Sequence, residues 1–249
     1  MKEYLPVLIS IFAASLAGFS RGFCGFGAAI IYIPLVSIAY DPVIAVVTLF
    51  LVDILPSLPI VYKSFRKFDY SLVVPMLLGA IIFSPMGVFI LLTMDKQIME
   101  LIIGVLIFVL TVRLLTNYQP LFAASKKNSV IFGSISGIFG GAAGLYGPPA
   151  ILYLLGASNN AKQTRRNIFV FLTIESVFLG AYYLFYDMYT AQHFHITAYL
   201  LPFYAFTIWL GSRKFVTIDE NGYRKILMGI LIMISLVLVV NVLYGLRGT

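Results

Sequence analysis

The sequence predicts an all-α polytopic membrane protein built from two inverted repeats. Each repeat is a broken or re-entrant helical hairpin followed by three transmembrane helices. Three observations predict it. The 249 residues are 61% hydrophobic and only 11% charged, with a mean hydropathy of +0.98. A water-soluble domain carries about 25% charged residues, so much of this surface must face lipid. Several segments reach the roughly 20 apolar residues that a crossing needs. Two further apolar stretches are each interrupted by a glycine-rich break, GFCGFGAA at residues 22–29 and GGAAGLYGPP at 140–149.

The elements follow in chain order. Residues 4–40 form the first hairpin, two apolar arms around Gly25-Phe26-Gly27. Spans are expected over 43–63, 71–93 and 97–117, completing an N-terminal repeat at 1–120. Residues 129–157 form the second hairpin, with arms at 129–142 and 145–157. Spans at 167–186, 196–212 and 226–245 complete a C-terminal repeat at 121–249. A shift of 120 residues lays Gly27-Ala28-Ala29 on Gly147-Pro148-Pro149, Phe26 on Tyr146, Ile31 on Ile151 and Leu35 on Leu155. Few residues match, so the shared layout of elements carries the duplication. The first segment does not read as a signal peptide, because Lys2 is cancelled by Glu3 and no small-residue cleavage pattern follows. The single cysteine, Cys24, excludes a disulfide framework.

Loop charge sets the topology. Lys63, Arg66, Lys67, Arg113, Lys126, Lys127, Lys162, Arg165, Arg166, Arg213, Lys214, Arg224 and Lys225 fall in four loops. By the positive-inside rule those loops are cytoplasmic. The net charge of +7 is thereby absorbed by membrane topology, and nucleic acid is not expected as a partner. The loop with Lys96 and Asp95, and the loop with His193, His195 and Asp187, lie outside; both histidines are read as members of a solvated loop. The chain between the basic loops at 118–128 and 158–166 must cross an even number of times, or enter and return. Arms of about 14 residues span roughly 20 Å, short of the roughly 30 Å hydrocarbon core, so a re-entrant hairpin fits. The arm at 4–22 is long enough to cross fully. Three spans per repeat is an odd number, so the halves are inverted, and inverted repeats with broken helices characterise secondary transporters.

The breaks have a chemical reading. Irregular backbone at membrane depth survives only inside protein or beside a wet cavity. A helix starting near Gly27, and another near Pro148, each begins with free N–H groups and a positive dipole end. Two such ends aimed at one point are expected to bind a small anion, and Arg21 adds a full positive charge nearby. The alternative is that these glycines only permit close helix packing. The substrate-binding candidates are Ser20, Arg21, Cys24, Gly25, Phe26, Gly27 and Ala28, with Gly144, Leu145, Tyr146, Gly147 and Pro148.

Gly25-Phe26-Gly27-Ala28-Ala29 with Pro34 five residues later resembles the G-x-G-G-G-x-x-x-x-P motif of the TauE/SafE sulfite exporter family, also called the 4-toluene sulfonate uptake permease family. Gly144 to Pro149 is similar to its second copy, and the resemblance covers essentially the whole chain. It implies transport of sulfite, thiosulfate, sulfoacetate or another sulfonate across the bacterial inner membrane. Ala28 and Ala29 replace two motif glycines, and Pro148-Pro149 the second pair. Alanine for glycine narrows the space beside the anion by two methyl groups.

Asp53 and Glu175 lie within apolar spans. Intramembrane carboxylates are costly and default to functional roles, so both are proton-coupling candidates; the alternative is acids that only join helices. Ser20, Ser136, Thr48, Thr173 and Asn167 are candidates for lining a cavity. No His/Glu zinc pattern, Ser/His/Asp set or Walker motif is present, so neither metal nor cofactor is expected. The expected partners are a small anionic substrate, the bilayer and protons, for a monomer or homodimer. A secondary transporter is the leading reading; an anion channel and an intramembrane enzyme or assembly factor are the others.

Overall fold

A computed structural model describes residues 5–93, 123–157, 160–215 and 229. The expected span at 97–117 and, apart from residue 229, that at 226–245 lie outside the described residues, as do Lys96, Arg113, Arg224 and Lys225. Those residues form eight α-helices: α1 Leu5–Cys24, α2 Ala28–Ala39, α3 Pro42–Phe65, α4 Tyr70–Thr93, α5 Lys126–Ala143, α6 Gly147–Ala157, α7 Ala161–Phe185 and α8 Ala191–Phe215. Five are long and apolar enough to cross a membrane: α1, α3, α4, α7 and α8. The described residues are therefore all-helical, and the chain is a multi-pass membrane protein. Large apolar side chains such as Phe12, Tyr62, Ile82, Phe89, Phe185 and Phe206 are exposed, while Arg21, Asp53 and Glu175 are buried. A lipid solvent demands that polarity.

The spans extend past their apolar limits because polar residues cap them. Asp41 accepts from the Val43 N–H at 2.8 Å, and Pro42 opens α3, a position where its missing N–H is harmless. Ser125 accepts from the Asn128 N–H at 3.1 Å and starts α5 at Lys126, three residues before the expected arm. Asn160 accepts from the Gln163 N–H at 3.1 Å ahead of α7. α8 begins at Ala191 rather than 196 because His193 Nδ1 accepts from the Thr190 N–H at 3.0 Å. His193 is buried in the first turn of α8, not in a solvated loop; His195 is exposed. Hydropathy alone misses such turns, because a cap satisfies the orphan N–H groups with polar side chains.

The helices fall into two compact units. One comprises Met1–Phe68 with Arg165–Ile218, the other Asp69–Thr164 with Asp219–Thr249. In the first, α1 packs on α8. A Cβ on Gly18 or Gly22 would strike the α8 backbone at Tyr204 and Ile208, and one on Gly211 would strike α1 at Phe19. In the second, α5 packs on α4. Gly133, Gly137 and Gly141 lie against the backbone of Met76, Ala80 and Ser84. Small residues spaced by four let membrane helices approach closely. Both registers rise together along the two partners, so each pair runs parallel. In each unit, a first hairpin arm lies on a span from the other half of the chain.

Helix boundaries recur along the chain. Cys24 and Ala143 end α1 and α5, Ala28 and Gly147 start α2 and α6, and Pro42 and Ala161 start α3 and α7. Each pair is separated by 119 residues rather than 120, and the same shift lays Gly18, Gly22 and Gly25 on Gly137, Gly141 and Gly144. The break itself sets this register, since Gly25 and Gly144 both follow a helix end with positive φ.

Candidate functional site

The first break is built from three backbone facts. Gly25 has φ 90° and Gly27 φ 94°, a left-handed region that favours glycine. Gly25 N–H bonds to Arg21 O at 2.9 Å, closing α1. The first helical bond of α2 is Ile31 N–H to Gly27 O at 3.2 Å, and Gly27 carries no side chain to cap the N–H groups ahead of it. The start of α2 thus presents backbone donors and the positive end of its dipole.

Side chains fasten this backbone. Ser20 Oγ donates to Phe26 O at 3.2 Å. Arg21, buried at 2% exposure, donates from Nη1 to Gly25 O, from Nη2 to Thr173 Oγ1 at 2.9 Å and from Nε to Asp53 Oδ1 at 3.2 Å. Asp53 Oδ1 also accepts from Tyr204 at 2.5 Å and from Ser57 at 3.0 Å. One guanidinium therefore ties α1 to α3 and α7, and through the carboxylate to α8. Arg165 donates from Nε to Phe23 O at 3.0 Å and from Nη2 to Gly22 O. The guanidinium carbons of Arg21 and Arg165 lie 4.8 and 4.9 Å from the ring centroid of Phe169, and that of Arg165 lies 4.2 Å from Phe215. These are cation–π distances. A buried charge is tolerable only when paired and hydrogen-bonded, and Asp53, the carbonyls and Phe169 supply that.

The second break keeps the backbone and changes the chemistry. Gly144 has φ 68°, and its N–H bonds to Gly140 O at 2.7 Å. With Gly144 left-handed, that bond is the αL closure of a helix C-terminus, and Leu145 N–H also reaches back to Phe139 O at 3.2 Å. α6 then opens on Gly147-Pro148-Pro149, so two of its first positions carry no N–H. Among the described residues, a Cβ on Gly147 would meet only Ile151 Cδ1, at 3.3 Å. The fold does not demand glycine there. Tyr153 of α6 ties the hairpin together: its hydroxyl donates to Ser125 O at 2.9 Å, accepts from Ser125 N at 3.0 Å and pairs with Ser129 Oγ at 3.0 Å.

The expected residues thus fall into two sets. Ser20, Arg21, Cys24, Gly25, Phe26, Gly27 and Ala28 are buried together at the first break, with Asp53. Gly144, Leu145 and Pro148 are buried at the second, and Tyr146 and Gly147 are half-buried. Glu175 is fully buried on α7, two residues beyond Thr173. Thr48 accepts from Tyr32 at 3.0 Å and joins α3 to α2. Asn167 is buried, and the buried Ser136 hydroxyl has no hydrogen-bond partner among the described residues. The sequence reading missed Ser57, Phe169 and Tyr204 and placed Arg165 among the basic residues that set the topology. A tyrosine in an apolar helix and an arginine one turn before a phenylalanine were the signals available.

The sequence matches the family described as Sulfite exporter TauE/SafE over residues 10–238. Comparison with curated proteins and with solved structures finds no match.

Proposed function

Because the chain belongs to the TauE/SafE sulfite exporter family, a family of membrane transporters, we propose that it is a secondary transporter of a small sulfur-containing anion, such as sulfite or an organosulfonate. Export across the bacterial inner membrane is the direction proposed. The observation that carries the anion is the first break, where an uncapped α2 start follows a buried Arg21. Oriented N–H groups at a helix start bind anions without a mobile counter-charge. The start of α6 offers fewer donors, because Pro148 and Pro149 carry no N–H. The inverted repeat belongs to the same proposal. Its support is the 119-residue recurrence of helix boundaries and the parallel packing of α5 on α4 and of α1 on α8. Parallel α4 and α5 have their basic leading loops on one side, as the positive-inside reading requires.

Proteoliposome flux with sulfite, thiosulfate, methanesulfonate and sulfoacetate, with and without a pH gradient, tests the transporter. Flux that follows voltage alone would make it a channel. Asp53→Asn and Glu175→Gln are expected to abolish pH-driven flux and spare anion exchange. Unchanged pH dependence in both removes coupling from these residues. Cysteines placed at Lys126 and Lys162 should react only from the cytoplasmic side, and periplasmic labelling at either would break the inverted topology.

A further inference from the structure

A broken helix brings a negative end and a positive end close together. α1 ends at Cys24 and α2 starts at Ala28. The C-terminus of a helix carries about half a negative charge, on carbonyls without partners in the helix. Left uncovered, that end of α1 opposes any anion drawn to α2. At this break it is covered. Arg21 O accepts from Gly25 N–H at 2.9 Å. Gly22 O and Phe23 O accept from Arg165, the latter at 3.0 Å. Gly25 O accepts from Arg21. Arg21 already shares its charge with Asp53, so the cover over the last turn of α1 comes from α7.

We infer that Arg165 is a positioning residue for anion binding, which caps the negative end of α1 and leaves the positive start of α2 to act on the substrate. The inference rests on the transporter reading above. Arg165 acts through the backbone of α1 and does not touch the anion. The guanidinium fork suits the task, since Nε and Nη2 reach two successive carbonyls while Phe169 and Phe215 hold the plane. Lysine keeps the charge and loses the fork.

An electrostatic role scales with substrate charge, and a purely structural one does not. The test is isothermal titration of the purified full chain with methanesulfonate, a monoanion, and thiosulfate, a dianion, alongside thermal stability. In Arg165→Gln, uncovering the half-charge at the end of α1 should weaken the monoanion roughly fivefold and the dianion by about the square of that, roughly 25-fold. Arg165→Lys should restore part of the loss, with the dianion still the more affected. Equal losses for both anions, or none, would overturn the inference while the transporter reading stands. If Arg165→Gln does not fold, the ratio of the two losses in Arg165→Lys decides by the same criterion. A parent protein that binds neither anion overturns the transporter reading and the inference with it.

Discussion

The first break and the second share a backbone and differ in what holds them. Each follows a helix end with a left-handed glycine, Gly25 or Gly144, and each is followed by a short apolar helix. The first is fastened by charge: Arg21 and Arg165 bind its carbonyls, and Asp53 balances Arg21. The second closes on its own backbone, and its two arms are joined by the Tyr153 hydroxyl. The first start keeps its N–H groups; the second has two prolines. The difference teaches that two breaks can share a backbone geometry without sharing electrostatics.

The sharpest way to break that comparison is to remove charge from the first break. Asp53→Asn leaves a buried guanidinium without its carboxylate and is expected to cost about 3–5 kcal/mol of stability. Arg21→Gln should cost a similar amount. The double variant should lose less than the two single losses combined, because it leaves no uncompensated charge. Denaturation of the detergent-purified variants measures all three. Strict additivity would mean that the 3.2 Å ion pair carries no coupling.

A smaller effect separates the two helix starts. Valine at Gly27 or Gly147 places a branched side chain beside the first N–H groups. Losing one charge-assisted hydrogen bond costs about 1.5–3 kcal/mol, roughly tenfold to a hundredfold in affinity. The stability outcomes should differ. Gly27 has φ 94°, so Gly27→Val strains the backbone as well. Gly147 has no such φ, and a Cβ there meets only the flexible end of Ile151, so Gly147→Val should lose anion binding with little loss of stability. Substrate-induced thermal stabilisation reads both. If both variants bind as the parent does, the break glycines do not meet the anion.

What the sequence made legible follows from these forces. Spans were legible because lipid demands long apolar runs, and the breaks because glycine and proline punctuate such runs visibly. The glycines proved to have two uses that composition cannot separate. Gly18, Gly22, Gly133, Gly137 and Gly141 allow close helix packing, whereas Gly25, Gly27 and Gly144 supply positive φ. Asp53 stood out as a carboxylate in an apolar span, but its pairing with Arg21 spans 32 residues and its bond to Tyr204 spans 151. No local pattern encodes partners so far apart. Arg165 looked like one more basic loop residue because its role depends on the end of α1, 142 residues away.

The smallest effect tests the neutral half of the comparison. Tyr153→Phe removes the hydroxyl that bridges α6 to the start of α5 and keeps the ring, stacked 5.2 Å from Phe132. The loss should be modest. Ser125 is half-buried, so water can replace one bond there. The buried Ser129 hydroxyl can turn to the Ser125 carbonyl four residues back, as helical serines commonly do. A net loss of about 1 kcal/mol is expected, the usual worth of a neutral hydrogen bond. Anion affinity should not change, because the hydroxyl acts at the far end of both arms from Gly144. Unfolding and anion titration of the same variant give both numbers. A stability loss as large as that of Asp53→Asn would mean that the second break also rests on a single polar anchor. A loss of affinity without a loss of stability would mean that Tyr153 acts on the substrate. Either result would dissolve the division between a charged break and a neutral one.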